Sequence, residues 1–467
     1  MLGKISSPFL VLVLSLGALV GLGASRPSLQ QQQSERLLDE GIALLARRQF
    51  SEAINVFNRF KQTNPRDARP YFYTGMAEAE TGRLSAAALE LDEAVRLAPQ
   101  QLEYLLFQAN LFARLKQKNH ADDVLAIFRQ AGNADHLDAS WVWLLSEVYY
   151  RLERFDDALG ALDLLEKRKP DDPRLDLNRG QVYALQSRFD QAQESLQKSL
   201  AKHPDNPLAH FESGKLLYLR GDLPGARKAL LEAVRLDQNN PQYLQKLGAV
   251  SLAMKEIDEA IGYLERAADL DSGSAEVYYS LGQAWQRKGQ RAKAAEYGQK
   301  FQKLKQEAEQ TEEIERQLAR GERMLDEGKD GEARAVFAQV VQADPDNWPA
   351  HGYLAEMFLG AGDLQKAWPH LAKMESLDAD SVVGAWLMAR YWHQQKQFEK
   401  ACFYAEKVRL VRPGHAQLRH LLGSAYLGLN QPEKALAEFE AAVRLAPERA
   451  DYRADLQRLE NRKRQDK

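Results

Sequence analysis

Ala68–Pro99 reads ARPYFYTGMAEAETGRLSAAALELDEAVRLAP, and a shift of 34 residues lays it over its neighbour: Gly41, Ala53 and Pro65 fall on Gly75, Ala87 and Pro99. Self-similarity at a fixed period of this length is the signature of a stacked repeat array. Within the stretch, Tyr71, Gly75 and Glu78 lie on one helical pattern, Gly82 interrupts it, and Ala87, Leu91 and Ala94 lie on a second that ends at Pro99. The spacing predicts one helical hairpin, with Gly75 and Ala87 small so that the two backbones approach closely. Pro99 has no amide donor and cannot continue the second helix.

The second-helix alanine recurs in three uninterrupted registers: Ala53, Ala87, Ala121; Ala158, Ala192, Ala226, Ala260, Ala294; and Ala333, Ala367, Ala401, Ala435. That makes twelve repeats from Ser34 to Arg449, with insertions of three and five residues at the two breaks. The matching first-helix position is Gly in eight repeats (Gly41, Gly75, Gly180, Gly214, Gly248, Gly282, Gly321, Gly423) and Ala109, Ser146, Ala355 or Ala389 in the others. Small residues in this phase, with aromatic and proline positions around them, resemble the tetratricopeptide repeat. The resemblance implies an all-α fold: a right-handed superhelical solenoid of about twelve hairpins plus a C-terminal capping helix. Repeat three lacks the terminal proline, and repeat eight has Gly298 where a large apolar residue is usual, so these two hairpins are expected to be looser or reshaped.

The chain divides accordingly into residues 1–25, a polar spacer 26–33, hairpins 1–3 over 34–138, hairpins 4–8 over 139–308, hairpins 9–12 over 309–449, and a capping helix with basic tail over 450–467. The cap expectation rests on Tyr452, Leu456 and Leu459, one apolar face with no hairpin after it. At the N-terminus, Lys4 precedes an apolar run from Phe9 to Leu22 and then Gly23, Ala24 and Ser25, the layout of a secretory signal cleaved after Ala24 or Ser25. The alternative is an uncleaved membrane anchor over Ile5–Ala24. Either way the repeats are expected outside the cytoplasm. No cysteine follows the run, which excludes lipid attachment of the bacterial lipoprotein kind. LQQQQS, Leu29 to Ser34, is expected to have no fold of its own, and GNAD at Gly132–Asp135 to lengthen a loop. Gln299–Arg320 holds neither Gly nor Pro, so either a helix runs through from hairpin 8 into hairpin 9, dividing the solenoid near residue 310, or a hairpin loop is lengthened.

Composition narrows the function. Lys plus Arg nearly balances Asp plus Glu (63 against 66), which argues against nucleic acid as a partner, since phosphate binding needs a basic stripe. The single cysteine, Cys402, excludes an intramolecular disulfide and a cysteine-based metal or redox pair. Among nine histidines the closest pair, His415 and His420, lies five apart in a turn and the following helix, and there is no His-Glu-x-x-His, glycine-rich phosphate loop or Gly-x-Ser-x-Gly elbow. No catalytic constellation, cofactor site or metal site is expected.

Binding remains as the use of such an array. The resemblance implies that the second, fifth, ninth and twelfth residues of each repeat face a concave groove. Fifth positions hold Phe72, Trp143, Phe211, Tyr279 and Trp386; twelfth positions hold Tyr150 and Tyr218; ninth positions hold Asn110, Glu147, Gln181, Lys215, Gln283, Glu356 and Arg390. Exposed rings in a groove anchor protein segments, burying much area at little entropic cost. The competing reading is that some rings pack against the adjacent first helix and complete the core. Some relatives of this kind clamp a chaperone's C-terminal carboxylate, but that needs Lys where Leu106 precedes Asn110, so a chaperone-tail adaptor is disfavoured. The expectation is an exported, non-enzymatic scaffold of bacterial periplasmic type that takes extended protein or peptide segments. The alternative is a periplasmic part of an envelope assembly or polysaccharide export apparatus, contacting a pore or polymer. Membrane contact is expected only through an uncleaved N-terminal segment.

Overall fold

Helices in this chain are punctuated by a turn residue that recurs with the repeat. Arg48, Gly82, Lys116, Glu153, Ser187, Gly221, Lys255, Gly289, Gly328, Gly362, Lys396 and Asn430 all take the left-handed conformation, with φ between 56° and 82°. Each closes the first helix of a hairpin, and their spacing reproduces the two breaks read from the sequence. Five of the twelve are glycine, for which this conformation is free of the Cβ penalty.

The computed structural model describes residues 29–132 and 134–465, so the leader or anchor expected over residues 1–25 lies outside the described residues. Those described form twelve helical hairpins and a final helix, Ala450–Gln465. A typical hairpin pairs a 13-residue first helix with a 14-residue second helix, as in Ala68–Glu80 with Leu84–Leu97. Asn and Asp caps start many first helices: the Asn206 side chain accepts from the amides of Leu208 and Ala209, and Pro207 follows at the first helical position, where a missing amide costs nothing.

The glycine phase is explained by the partner helix. A Cβ on Gly214 would lie 2.6 Å from Leu230 Cγ, and one on Gly423 would lie 2.7 Å from Phe439 Cδ1. A large side chain sixteen residues on occupies the space, so only hydrogen fits. The alanines of the second helices, Ala192, Ala226 and Ala260 among them, are fully buried where the two helices cross, except Ala294, which is half-buried.

Two compact units result. Hairpins 3–8 form one, Gln100–Gln310; hairpins 1 and 2, ending at Pro99, form the other together with hairpins 9–12 and the final helix, from Thr311 onward. In the first unit, buried residues of hairpins 6–8 make a continuous core from Phe211 to Trp285. In the second, Tyr452 and Leu459 of the final helix are buried against Phe439, Ala442 and their neighbours, which closes the end of hairpin 12 as a cap does.

Three linking segments differ from one another. The Gln-rich stretch expected to be an unstructured spacer is helical from Leu29, the start of an 18-residue helix ending at Ala46. Glutamine is a good helix former, and Ser34 is buried and accepts a hydrogen bond of 2.7 Å from Asn64, which ties this end to the second helix of its hairpin. The first insertion folds into a short 3-10 turn, Ala134–His136, whose carbonyls and that of Leu137 accept from the Arg168 guanidinium. The second insertion is absorbed without a loop: one 36-residue helix, Arg291–Asp326, serves as second helix of hairpin 8 and first helix of hairpin 9. No Gly or Pro interrupts its middle, so propensity carries the backbone through. No helix among the described residues is long and apolar enough to cross a membrane.

Candidate functional site

The face formed by the first helices of hairpins 4–7 brings several of the expected groove residues together in the first unit. Trp143, Glu147 and Tyr150 come from Ala139–Arg151, Gln181 from Leu175–Leu185, and Phe211, Lys215 and Tyr218 from Pro207–Leu219. Their polar members are joined by a rule. Asn178 Nδ2 donates to Glu147 Oε1 at 3.4 Å and Gln181 Nε2 to Glu212 Oε1 at 3.2 Å, each across 31 residues. The ninth residue of one hairpin therefore meets the sixth of the next. Tyr353 Oη donating to Glu322 Oε1 at 2.7 Å repeats the relation in hairpins 9 and 10.

Glu212 is the hub of this face. It is 9% exposed, takes the Gln181 amide on one oxygen, and takes Lys215 Nζ on the other at 2.8 Å. Lys246 lies over the Tyr218 ring, 4.9 Å from its centroid, and Lys215 over Phe211 at 5.2 Å. Burial, and then the neighbouring Lys215 charge, hold the Lys246 ammonium below its usual range, with Glu212 opposing. Burial pushes the Glu147 carboxyl up, against the pull of Arg151 and Arg174. The Tyr150 hydroxyl is likewise raised, first by burial and then by Glu212 and Glu147.

Trp143 is held in place rather than loosely displayed. The Arg174 guanidinium lies over its ring at 4.6 Å and is itself fixed by two hydrogen bonds to buried Asp172, Nε to Oδ1 at 2.7 Å and Nη2 to Oδ2 at 2.6 Å. Burial disfavours the Asp172 carboxylate, yet these bonds hold it below the usual range. The Trp143 indole nitrogen has no hydrogen-bond partner among the described residues.

Other expected anchors lie elsewhere. Phe72 is fully buried and Asn110 is 8% exposed, so neither offers a face to a ligand. They are not alone in this: Pro70–Ala77 and Tyr104–Leu111 are buried on every side of their helices, polar Thr74 and Gln108 included. Phe211 is 9% exposed and packs tilted against Tyr243 at 4.7 Å, completing the core between hairpins 6 and 7. Tyr279 is 51% exposed, beside Phe301 of the long helix at 5.2 Å. In the second unit, Trp386 and Arg390 line an open cleft of about 430 Å³ with Glu356, His393, His420 and Tyr452. There Arg390 donates to Glu356 at 2.9 Å, and the Trp386 edge meets His415 at 5.0 Å.

Arg174, Asn178, Glu212 and Lys246 were not singled out from the sequence. All four occupy second or sixth positions, and adding 31 to each ninth-position residue finds three of them. Among the described residues no three His, Cys, Asp or Glu side chains converge so as to hold a metal ion.

Profiles of the tetratricopeptide repeat match residues 38–101, 108–173, 144–190, 177–241, 248–309, 318–381 and 416–449. DnaJ homolog subfamily C member 3 from Gallus gallus is 24% identical over 200 residues, 43% of this chain, and the match spans about a third (35%) of that protein's length. A crystal structure of MamA protein is similar at 25% identity over 36% of this chain and 92% of its own, with a TM-score of 0.32. The TPR domain of P58(IPK) is similar at 13% identity over 93% of this chain and 99% of its own, with a TM-score of 0.27.

Proposed function

Because the chain belongs to the tetratricopeptide repeat family, we propose that it is a non-enzymatic scaffold that holds an extended segment of a partner protein along the first-helix face of hairpins 4–7. The observation that carries this reading is the row of partly exposed rings, Trp143, Tyr150 and Tyr218, interleaved with the Glu147–Asn178 and Gln181–Glu212–Lys215 bonds. Rings supply area at low entropic cost, and the fixed amide and carboxylate groups supply direction for a peptide backbone. Lys215 and Lys246 share one carboxylate, Glu212, so a segment with an acidic side chain opposite them relieves their mutual repulsion.

Export is part of the proposal and rests on the sequence: Lys4, the apolar run Phe9–Leu22 and the small residues after it support a position outside the cytoplasm, in a bacterial periplasm. A second reading, a component of an envelope assembly or polysaccharide export apparatus, draws on the same rings, since aromatic faces flanked by carboxylate and amide groups also suit a sugar chain. A crosslinking pull-down from native envelope tests both, comparing the wild type with a Trp143→Ala, Tyr150→Ala, Tyr218→Ala variant of equal helicity. Loss of particular proteins from the variant supports the scaffold reading. Loss of bound polymer with the proteins unchanged supports the second, and identical capture of everything rejects this face as the site.

A further inference from the structure

Hairpins 1 and 2 meet the loop Arg412–His415 of hairpins 11 and 12 within the second unit, across more than three hundred residues of sequence. Gly414 sits at the closest point: a Cβ there would lie 2.9 Å from Pro65 O, 3.2 Å from Tyr71 Oη and 3.4 Å from Pro65 Cβ. The Arg66 guanidinium donates to the carbonyl of Arg444, adding a second tie between the same hairpins. We propose that this joint is a reversible latch, closed on Gly414, whose state sets the shape of the cleft lined by Trp386 and Arg390.

Reversibility follows from what the joint is made of. Among the described residues it is crossed by the Gly414 loop against the Pro65 carbonyl and the Tyr71 phenol, and by the exposed Arg66–Arg444 bond. Lys61 is fully buried there, bonded to Glu90 at 2.7 Å and facing the Arg412 charge, while one terminal nitrogen of Arg412 is buried with no hydrogen-bond partner among the described residues. The Lys61–Glu90 pair lies within hairpins 1 and 2; what faces across the joint is like charge, Lys61 against Arg412, and one exposed Arg66–Arg444 bond, so the closed joint is held by a small margin, as segments that open in function are.

Coupling to the cleft runs through His415. Its Nδ1 accepts from the Leu418 amide at 3.1 Å and so caps the helix Ala416–Gly428, while the ring meets the edge of Trp386 at 5.0 Å. Across the joint it faces Glu93 and Arg96 of hairpin 2, and on its own loop Arg412. Burial, then Arg412, push the imidazole down to about 4, so it is neutral at ordinary pH. Protonation removes the cap and sets a third cation beside Arg412 and Arg96. Opening therefore releases the side chain that braces Trp386, and acid favours opening.

A disulfide reads the joint directly. In full-length protein carrying Cys402→Ala, the pair Pro65→Cys and Gly414→Cys places the two Cβ atoms 3.4 Å apart, a tenth of an ångström under the roughly 3.5 to 4.5 Å that a disulfide spans. Mild oxidation at neutral pH is expected to give a faster-migrating monomer on a non-reducing gel at unchanged helicity. Free thiols, or a crosslink only between chains, would overturn the latch. Gly414→Arg then holds the joint open: hydrogen exchange is expected to quicken at least about threefold in segments 61–73 and 384–394, and to stay unchanged in hairpins 4–7. A change confined to 61–73 would break the coupling to the cleft, and no change in either would overturn the latch. The disulfide decides the matter independently if Gly414→Arg does not fold.

Discussion

Hairpins 7 and 8 follow one another in the same unit with the same turn, yet their helices meet differently. In hairpin 7 a Cβ on Gly248 would lie 2.6 Å from Leu264 Cγ; in hairpin 8 the nearest atoms to a Cβ on Gly282 are Ala294 O at 3.6 Å and Gly298 N at 3.8 Å. The residue sixteen positions on is Leu264 in the one and Gly298 in the other. Ala260 is fully buried beneath the first pair, whereas Ala294 is only half-buried beneath the second. The lesson is that the first-helix glycine is demanded by the large residue sixteen positions on, and is spare where that residue is missing.

Substitutions in these two hairpins sharpen the contrast. Leu264→Ala empties a fully enclosed site and is expected to cost about 2 to 5 kcal/mol, read in urea unfolding. Gly248→Ala gains about 1 kcal/mol of helix propensity but drives a methyl into Leu264, for a net loss of about 1 to 2 kcal/mol. Gly282→Ala meets only ordinary contacts and is expected to stabilise by about 0.5 to 1 kcal/mol, as is Gly298→Ala, which meets nothing within 4 Å. If Gly248→Ala and Gly282→Ala shift the melt by the same amount and sign, the contrast fails. The smallest effect belongs to the turn, where Lys255 at φ 66° carries a strain that Gly289 does not. Lys255→Gly should gain about 0.5 kcal/mol, and Gly289→Ala should lose a similar amount.

These hairpins also explain what the sequence made legible. Core positions are self-referential: Gly, Ala and Leu recur at the same phase because each hairpin packs against itself, so period, turn register and both insertions could be read from one chain. The groove is relational. Glu147 meets Asn178 and Gln181 meets Glu212 across the boundary between hairpins, and a reading of one repeat at a time overlooks the sixth-position partner. Phe72 and Asn110 show the opposite limit, since their phase suits the groove while every side of their helices is buried, which the phase of one repeat does not reveal. The spacer failed for a local reason: LQQQQS is polar, but it is a helix former joined to a helix, and Ser34 is bonded to Asn64.

Function turns on whether the first-helix face of hairpins 4–7 is where a partner lies. Photo-crosslinking in native cells tests this most directly, with the reactive side chain placed at Tyr150 in that face or at Leu231, which is 38% exposed on the second helix of hairpin 6. Capture of a defined protein from position 150, absent from position 231 and lost with Lys246→Glu, is the predicted result. Equal capture from both positions, or capture from position 231 alone, would contradict the account.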